Sequence, residues 1–191
     1  MKTGIFGGTF DPPHIGHLIA AQDVLQTLPL DKVLFIPALV PPHKQQRAIS
    51  PPAVRLRMME AAANGDARFE VSDIELKRAA PSYTVDTLRH LGNSGDELFL
   101  LLGVDQIRDF STWREPQRVL RLARLVMMAR GGIAEPPESG IVQHTVPVTR
   151  VDISSTLIRR RVAAGQPIRY LVPAAVEEII AAQGLYSGSL G

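Results

Sequence analysis

The sequence predicts an α/β fold: a single Rossmann-like domain, residues 1–191, with helices on both faces of a doubly wound, mostly parallel sheet. Three observations predict it. Short apolar runs alternate along the chain with segments of helical periodicity. The clearest run, Glu97-Leu98-Phe99-Leu100-Leu101-Leu102, is apolar at successive positions, as a strand covered on both faces must be. Several runs end in Gly, Pro or polar loops, the composition expected where ligands bind beyond the carboxyl ends of parallel strands.

Taken in order, Lys2 to Phe6 reads as the first strand. Leu18, Ala21, Leu25 and Leu28 recur at helical spacing and predict a helix from about Gly16 to Leu28. Lys32 to Ile36 is a buried strand stopped by Pro37, and Pro51-Pro52 opens a helix that Asn64-Gly65 closes. Arg68 to Val71 is a strand and Thr84 to Leu91 a helix ending at Gly92. The strand Glu97–Leu102 ends at Gly103. A helix over Pro116 to Leu122, a strand over Leu125 to Met128 and a last strand over Val148 to Val151 follow. Helices over Ser155 to Ala164 and Pro173 to Gln183 complete the chain. Pro41 to Pro52 and Gly131 to Gly140 carry the least pattern; the first is long for an α/β connection, as binding loops are.

Composition excludes some functions. The net charge of +2 is too small to argue for nucleic acid or a membrane surface. With no cysteine there are no disulfides or thiolate metal sites. No apolar stretch reaches the roughly 18–20 residues that span a bilayer, and the first residues are too short an apolar run for a signal peptide. A cytoplasmic location is expected. A homo-oligomer is compatible with the sequence, but no exposed apolar stripe indicates one.

The chemistry concentrates in Gly7-Gly8-Thr9-Phe10-Asp11-Pro12-Pro13-His14-Ile15-Gly16-His17, directly after the first strand. Glycines allow a tight turn and close approach to a ligand, and prolines stiffen the step that follows. His14 and His17, three apart at the start of a helix, bring two imidazoles near one point, and a helix N-terminus attracts anions. This suits a polyphosphate whose charge grows during reaction. A metal-binding histidine pair and a plain turn with two satisfied histidines are the competing readings. Neither G-x-x-x-x-G-K-[ST] nor, after the first strand, G-x-G-x-x-G is present, so the chain is neither a P-loop NTPase nor a standard dinucleotide-binding dehydrogenase.

Phe10, His14, Gly16 and His17 in this setting resemble the HxGH nucleotidyltransferase superfamily, and Ile153-Ser154-Ser155-Thr156-Leu157-Ile158-Arg159 resembles its second signature, ISSTxIR. The first loop, Pro41-Pro42-His43-Lys44, Ser82-Tyr83-Thr84-Val85-Asp86-Thr87-Leu88, and Leu102-Gly103-Val104-Asp105 with Phe110, Trp113 and Pro116 narrow the resemblance to the bacterial nicotinate-nucleotide adenylyltransferases. The family's order is kept from residue 4 to about residue 160. Arg114 departs from it, since relatives often carry an aromatic residue or His there.

The resemblance implies the joining of nicotinate mononucleotide to the AMP part of ATP, giving nicotinate adenine dinucleotide and pyrophosphate in NAD biosynthesis. The acceptor phosphate is already ionised, so alignment and charge stabilisation suffice and no general base is needed. It further implies a catalytic role for His14, His17, Lys44 and Arg159, and ATP binding by Gly7, Gly8, Thr9, Phe10, Gly103, Asp105, Ile153, Ser154, Ser155 and Thr156. Tyr83, Thr84 and Trp113 would hold the acceptor, Trp113 by stacking on its pyridine ring. Arg160 and Arg161 are expected to be solvated. Mg²⁺ is expected as an ion carried by the ATP phosphates, with no dedicated protein ligands. The alternative is a sister enzyme such as pantetheine-phosphate adenylyltransferase or a cytidylyltransferase. Those resemble the two end motifs but lack the Pro-Pro-His-Lys and Ser-Tyr-Thr segments together. A non-catalytic nucleotide sensor is another reading, against which stand His14, His17 and Arg159.

Overall fold

The computed structural model describes residues 1–39, 49–78, 81–92, 95–130 and 140–187. Six strands, β1 (Lys2–Gly8), β2 (Lys32–Pro37), β3 (Phe69–Val71), β4 (Glu97–Gly103), β5 (Arg124–Arg130) and β6 (Val142–Val148), form one sheet in the order β3-β2-β1-β4-β5-β6. All five pairings are parallel. The order reverses between β1 and β4, and in such sheets the crevice at that reversal, beyond the strand carboxyl ends, takes the ligand.

The helices are α1 (Ile15–Thr27), α2 (Pro52–Ala63), α3 (Thr84–Gly92), α4 (Val104–Arg108), α5 (Pro116–Leu122), α6 (Ser155–Ala163) and α7 (Ala174–Ala182). Alternation along the strands assigns them to two faces. Phe99 and Leu101 of β4, with Phe35 of β2, pack in one core with α1, α2, α6 and α7. Leu98, Leu100 and Leu102 pack in another with α3, α4 and α5. Each such side chain is at most 4% exposed and contributes about 1.5–3 kcal/mol by burial. The doubly wound prediction therefore holds on both faces.

Two expectations are corrected. The last strand is Val142–Val148, not Val148–Val151. Its upstream half alternates exposed and half-buried positions, and Pro147 sits within it. An edge strand tolerates both, because one side of its ladder is unpaired. The sequence predicts no helix between Gly103 and Pro116, yet Val104–Arg108 forms α4, followed by a 3-10 turn at Phe110–Thr112. The stretch is too short for helical periodicity to reveal it. Among the described residues, no helix is long and apolar enough to cross a membrane.

Candidate active site

The first loop is built around close contacts that its glycines permit. Phe10 adopts a left-handed backbone, φ 48°, and turns its ring inward, where it is 2% exposed. A Cβ on Gly8 would lie 2.9 Å from that ring. A Cβ on Gly16 would lie 3.1 Å from the imidazole of His14. The glycine between the two histidines is thus the space into which His14 folds. The two imidazoles stack with centroids 3.7 Å apart, and Phe10 meets His17 edge-on at 5.1 Å.

The histidines are not equivalent. His14 is 4% exposed and forms the floor of the stack. Its backbone N–H donates to His17 Nδ1 at 3.1 Å. An Nδ1 that accepts carries no proton, so a neutral His17 holds its hydrogen on Nε2 as a donor. The expected helix-terminus site at α1 is partly used by the protein itself. The Ile15 N–H donates to Leu171 O at 3.1 Å and the His17 N–H to His14 O at 2.9 Å.

At the β1/β4 reversal lies a cavity of about 510 Å³. Gly7, Gly8, Thr9, Phe10 and His17 line one side, and Tyr83, Thr84 and Trp113 the other, with Gly103 between. A Cβ on Gly7 would meet nothing within 4 Å, and one on Gly103 only Gln106 Oε1 at 3.9 Å. Protein packing does not require glycine at either position; a ligand approaching the backbone would. Arg114 lays its guanidinium 4.5 Å from the Tyr83 ring centroid. A planar cation thus covers one face of the Tyr83 ring.

Residues near the second signature meet the first loop from behind. The Ser155 hydroxyl donates to Pro12 O at 2.8 Å, and Arg159 donates to Asp11 O at 2.7 Å and to Thr156 Oγ1 at 3.2 Å. Ser154 caps α6 by accepting from the Leu157 N–H at 3.1 Å. Ile153 packs against the core. Asp105 stands apart: its side chain is 94% exposed and pairs with Arg108 at 3.5 Å. Arg160 is exposed, but Arg161, expected to be solvated, donates to Pro167 O at 2.9 Å. Lys44 lies outside the described residues.

Sequence reasoning missed two buried charged groups. Glu75, 9% exposed, lines the cavity together with Tyr83 and Thr84 and accepts from the Thr87 hydroxyl at 2.8 Å. Burial raises its pKa, opposed by bonds from Thr87 and Ser82 and by the charge of Arg78. Arg55, 1% exposed, occupies the first position of the stripe 55, 58, 59, 62 and 63 that α2 buries. A charge heading a core-facing helical stripe was the available signal, since such a group must have partners. A broader groove of about 790 Å³ between α2, β3 and α7 includes Asn64 to Ala67, which precede β3, and so lies toward the strand amino ends, away from the ligand rim.

The likenesses to known proteins agree with this geometry. A family model described as cytidylyltransferase-like matches residues 5–161. A protein of Shouchella clausii named "Probable nicotinate-nucleotide adenylyltransferase" is 43% identical over 187 residues, covering 97% of this chain and 96% of its own. One of the same name from Thermus thermophilus is 47% identical over 189 residues, covering 97% and 100%. The solved Plasmodium falciparum nicotinic acid mononucleotide adenylyltransferase complexed with NaAD superposes with a TM-score of 0.77 at 17% identity, covering 100% of this chain and 99% of that one, a likeness of fold. With the histidine loop, the β1/β4 crevice and full-length relatives above 40% identity all in agreement, the chain belongs to the cytidylyltransferase-like family, in its nicotinate-nucleotide adenylyltransferase branch.

Proposed function

We propose that this chain is an adenylyltransferase that joins nicotinate mononucleotide to ATP, releasing pyrophosphate. The observation that carries the reading is one continuous cavity running from His17 in the first turn of α1 to Trp113 beyond β4, with two unfilled glycine positions along it. One end suits a triphosphate and the other a flat heteroaromatic ring. The acceptor's 5′-phosphate oxygen attacks the α-phosphorus of ATP. The new P–O bond forms as the bond to the bridging α–β oxygen breaks, and pyrophosphate leaves with that electron pair. No proton need be removed from an ionised phosphate, so the protein's task is to align and to stabilise charge. His17, as an Nε2–H donor held by the His14 backbone, would stabilise the growing charge. His14 orients His17 from beneath, and Arg159 adds a positive charge behind the loop. Lys44 is proposed as a further phosphate contact.

Mg²⁺ carried on the ATP phosphates would need no protein cage, because phosphate oxygens and water supply most of its ligands. Bound there, it would neutralise phosphate charge. Trp113 and Tyr83 would hold the acceptor ring, and the N-terminus of α3 at Thr84 its polar groups.

The deciding experiment measures pyrophosphate release with ATP and each of four acceptors: nicotinate mononucleotide, nicotinamide mononucleotide, phosphopantetheine and glycerol phosphate. Nicotinate mononucleotide should give the highest kcat/KM. A higher value with phosphopantetheine or glycerol phosphate overturns the assignment, and a higher value with the amide changes the acceptor.

A further inference from the structure

The first loop is pinned by a closed ring of polar groups. Arg55 makes three donations, all to backbone carbonyls: Thr9 O at 2.8 Å, Leu39 O at 3.0 Å and Ser50 O at 3.0 Å. These carbonyls belong to the segments that follow β1, follow β2 and precede α2. The Ser50 hydroxyl donates to the Tyr186 hydroxyl at 3.3 Å, which in turn donates to Asp11 Oδ1 at 2.6 Å. The Ser50 N–H donates to the other Asp11 oxygen at 3.3 Å. Asp11, 4% exposed, closes the ring two residues after Thr9, and its own carbonyl accepts from Arg159.

Tyr186 stands out in this ring. It lies beyond α7, 175 residues from the carboxylate it contacts, and it adopts a left-handed backbone, φ 63°. Its ring packs at the edge of the core, so an aromatic residue there is explained by packing; the hydroxyl is not. Burial, and after it the charge of Asp11, push its ionisation upward, so the hydroxyl stays a donor throughout the neutral range. Removing that hydroxyl leaves a buried carboxylate short of a partner, a loss the loop can relieve only by moving.

We propose that Tyr186 is a positioning residue for adenylyl transfer: its hydroxyl fixes Asp11, and through Asp11 the loop that carries His14 and His17 and the carbonyl that holds Arg159. The ring makes few concessions to stability, since buried polar networks are commonly matched by apolar packing; what they confer is one defined geometry. In a reaction that proceeds by alignment, a small displacement of the loop lowers turnover more than binding.

The proposal rests on the adenylyltransferase reading, and the test separates the two. Tyr186→Phe removes only the hydroxyl. The expected result is a fall in kcat of about 10-fold, on the scale of a sub-ångström misplacement. KM for nicotinate mononucleotide should stay within about twofold, because the acceptor pocket is untouched. Circular dichroism should show a folded protein at the assay temperature. An unchanged kcat overturns the proposal, as does a fall in activity that merely follows the unfolded fraction. Ser50→Ala, which deletes the hydroxyl on the other side of Tyr186, is the second variant. It should lower kcat in the same sense by a smaller factor and add little to Tyr186→Phe in the double variant; full additivity overturns the linkage. If neither variant folds, Tyr186 is structural and the proposal fails. Absence of turnover in the unaltered protein removes the adenylyltransferase reading itself.

Discussion

The two halves of the cavity are built on opposite principles. On the histidine side the polar groups are engaged within the protein: Asp11 by Tyr186 and Ser50, the Pro12 carbonyl by Ser155, His17 by the His14 backbone. On the acceptor side the defining feature is room: half-buried Tyr83, Thr84 and Trp113 face glycines whose missing side chains leave space. The first half suits a ligand that must be aligned and stabilised. The second suits a ligand that must be recognised. Removing a polar group from the histidine half should therefore lower turnover, and filling the open glycine space or stripping the aromatic wall that faces it should weaken binding.

The largest effect separates chemistry from structure. His17→Ala should fold normally and lose at least about 100-fold in kcat, the scale of one transition-state donor. Near-normal steady-state turnover in that variant would end the electrostatic account. Next comes the pair of adjacent glycines. Gly8→Ala should destabilise the fold by about 1–3 kcal/mol in a urea melt, because its Cβ enters the Phe10 ring. Gly7→Ala should melt as the parent does and raise substrate KM at least about 10-fold, because its Cβ occupies ligand space. Equal behaviour of the two variants would erase the distinction between packing space and ligand space.

Trp113→Ala should raise KM for the acceptor about 5- to 10-fold, with KM for ATP nearly unchanged, the worth of one lost stacking partner. A change confined to ATP would move the aromatic platform to the other ligand. The smallest effect concerns pH. The folded protein holds a proton on Glu75 more tightly than the unfolded chain does. This favours folding below the ordinary carboxylate range and is lost as pH rises through the raised value. Glu75→Gln escapes that loss, so its melting temperature relative to the parent should rise as the pH is raised from the ordinary carboxylate range. A relative fall would reverse the sign assigned to this group.

What the sequence disclosed followed from periodicity and local chemistry. Strands buried on both faces, such as Glu97–Gly103, announce themselves, and so do helices opened by proline or closed by glycine. The edge strand Val142–Val148 did not, because three of its seven residues are exposed and its pattern resembles a loop. Within the candidate site, contiguous motifs marked segments that the fold brings together: Gly7 to His17, Tyr83-Thr84 and Ser154 to Arg159. Which of their residues face the cavity was not legible. Asp105 points to solvent, and Ser155 and Arg159 bind the loop's backbone, outcomes set by tertiary contact. Asp11, Arg55 and Tyr186 each look ordinary alone; only the fold places them in one ring.

The contacts closing the first loop span 143, 148 and 175 residues. Such contacts are the costliest for a folding chain to establish, because a long stretch must be ordered before they form. They also lie outside the sheet, in helices and loops that open locally before a central sheet does. Competence should therefore arrive late in folding and leave early on heating. A thermal scan that follows turnover alongside ellipticity should show activity failing first, while the β1–β4 core is still intact.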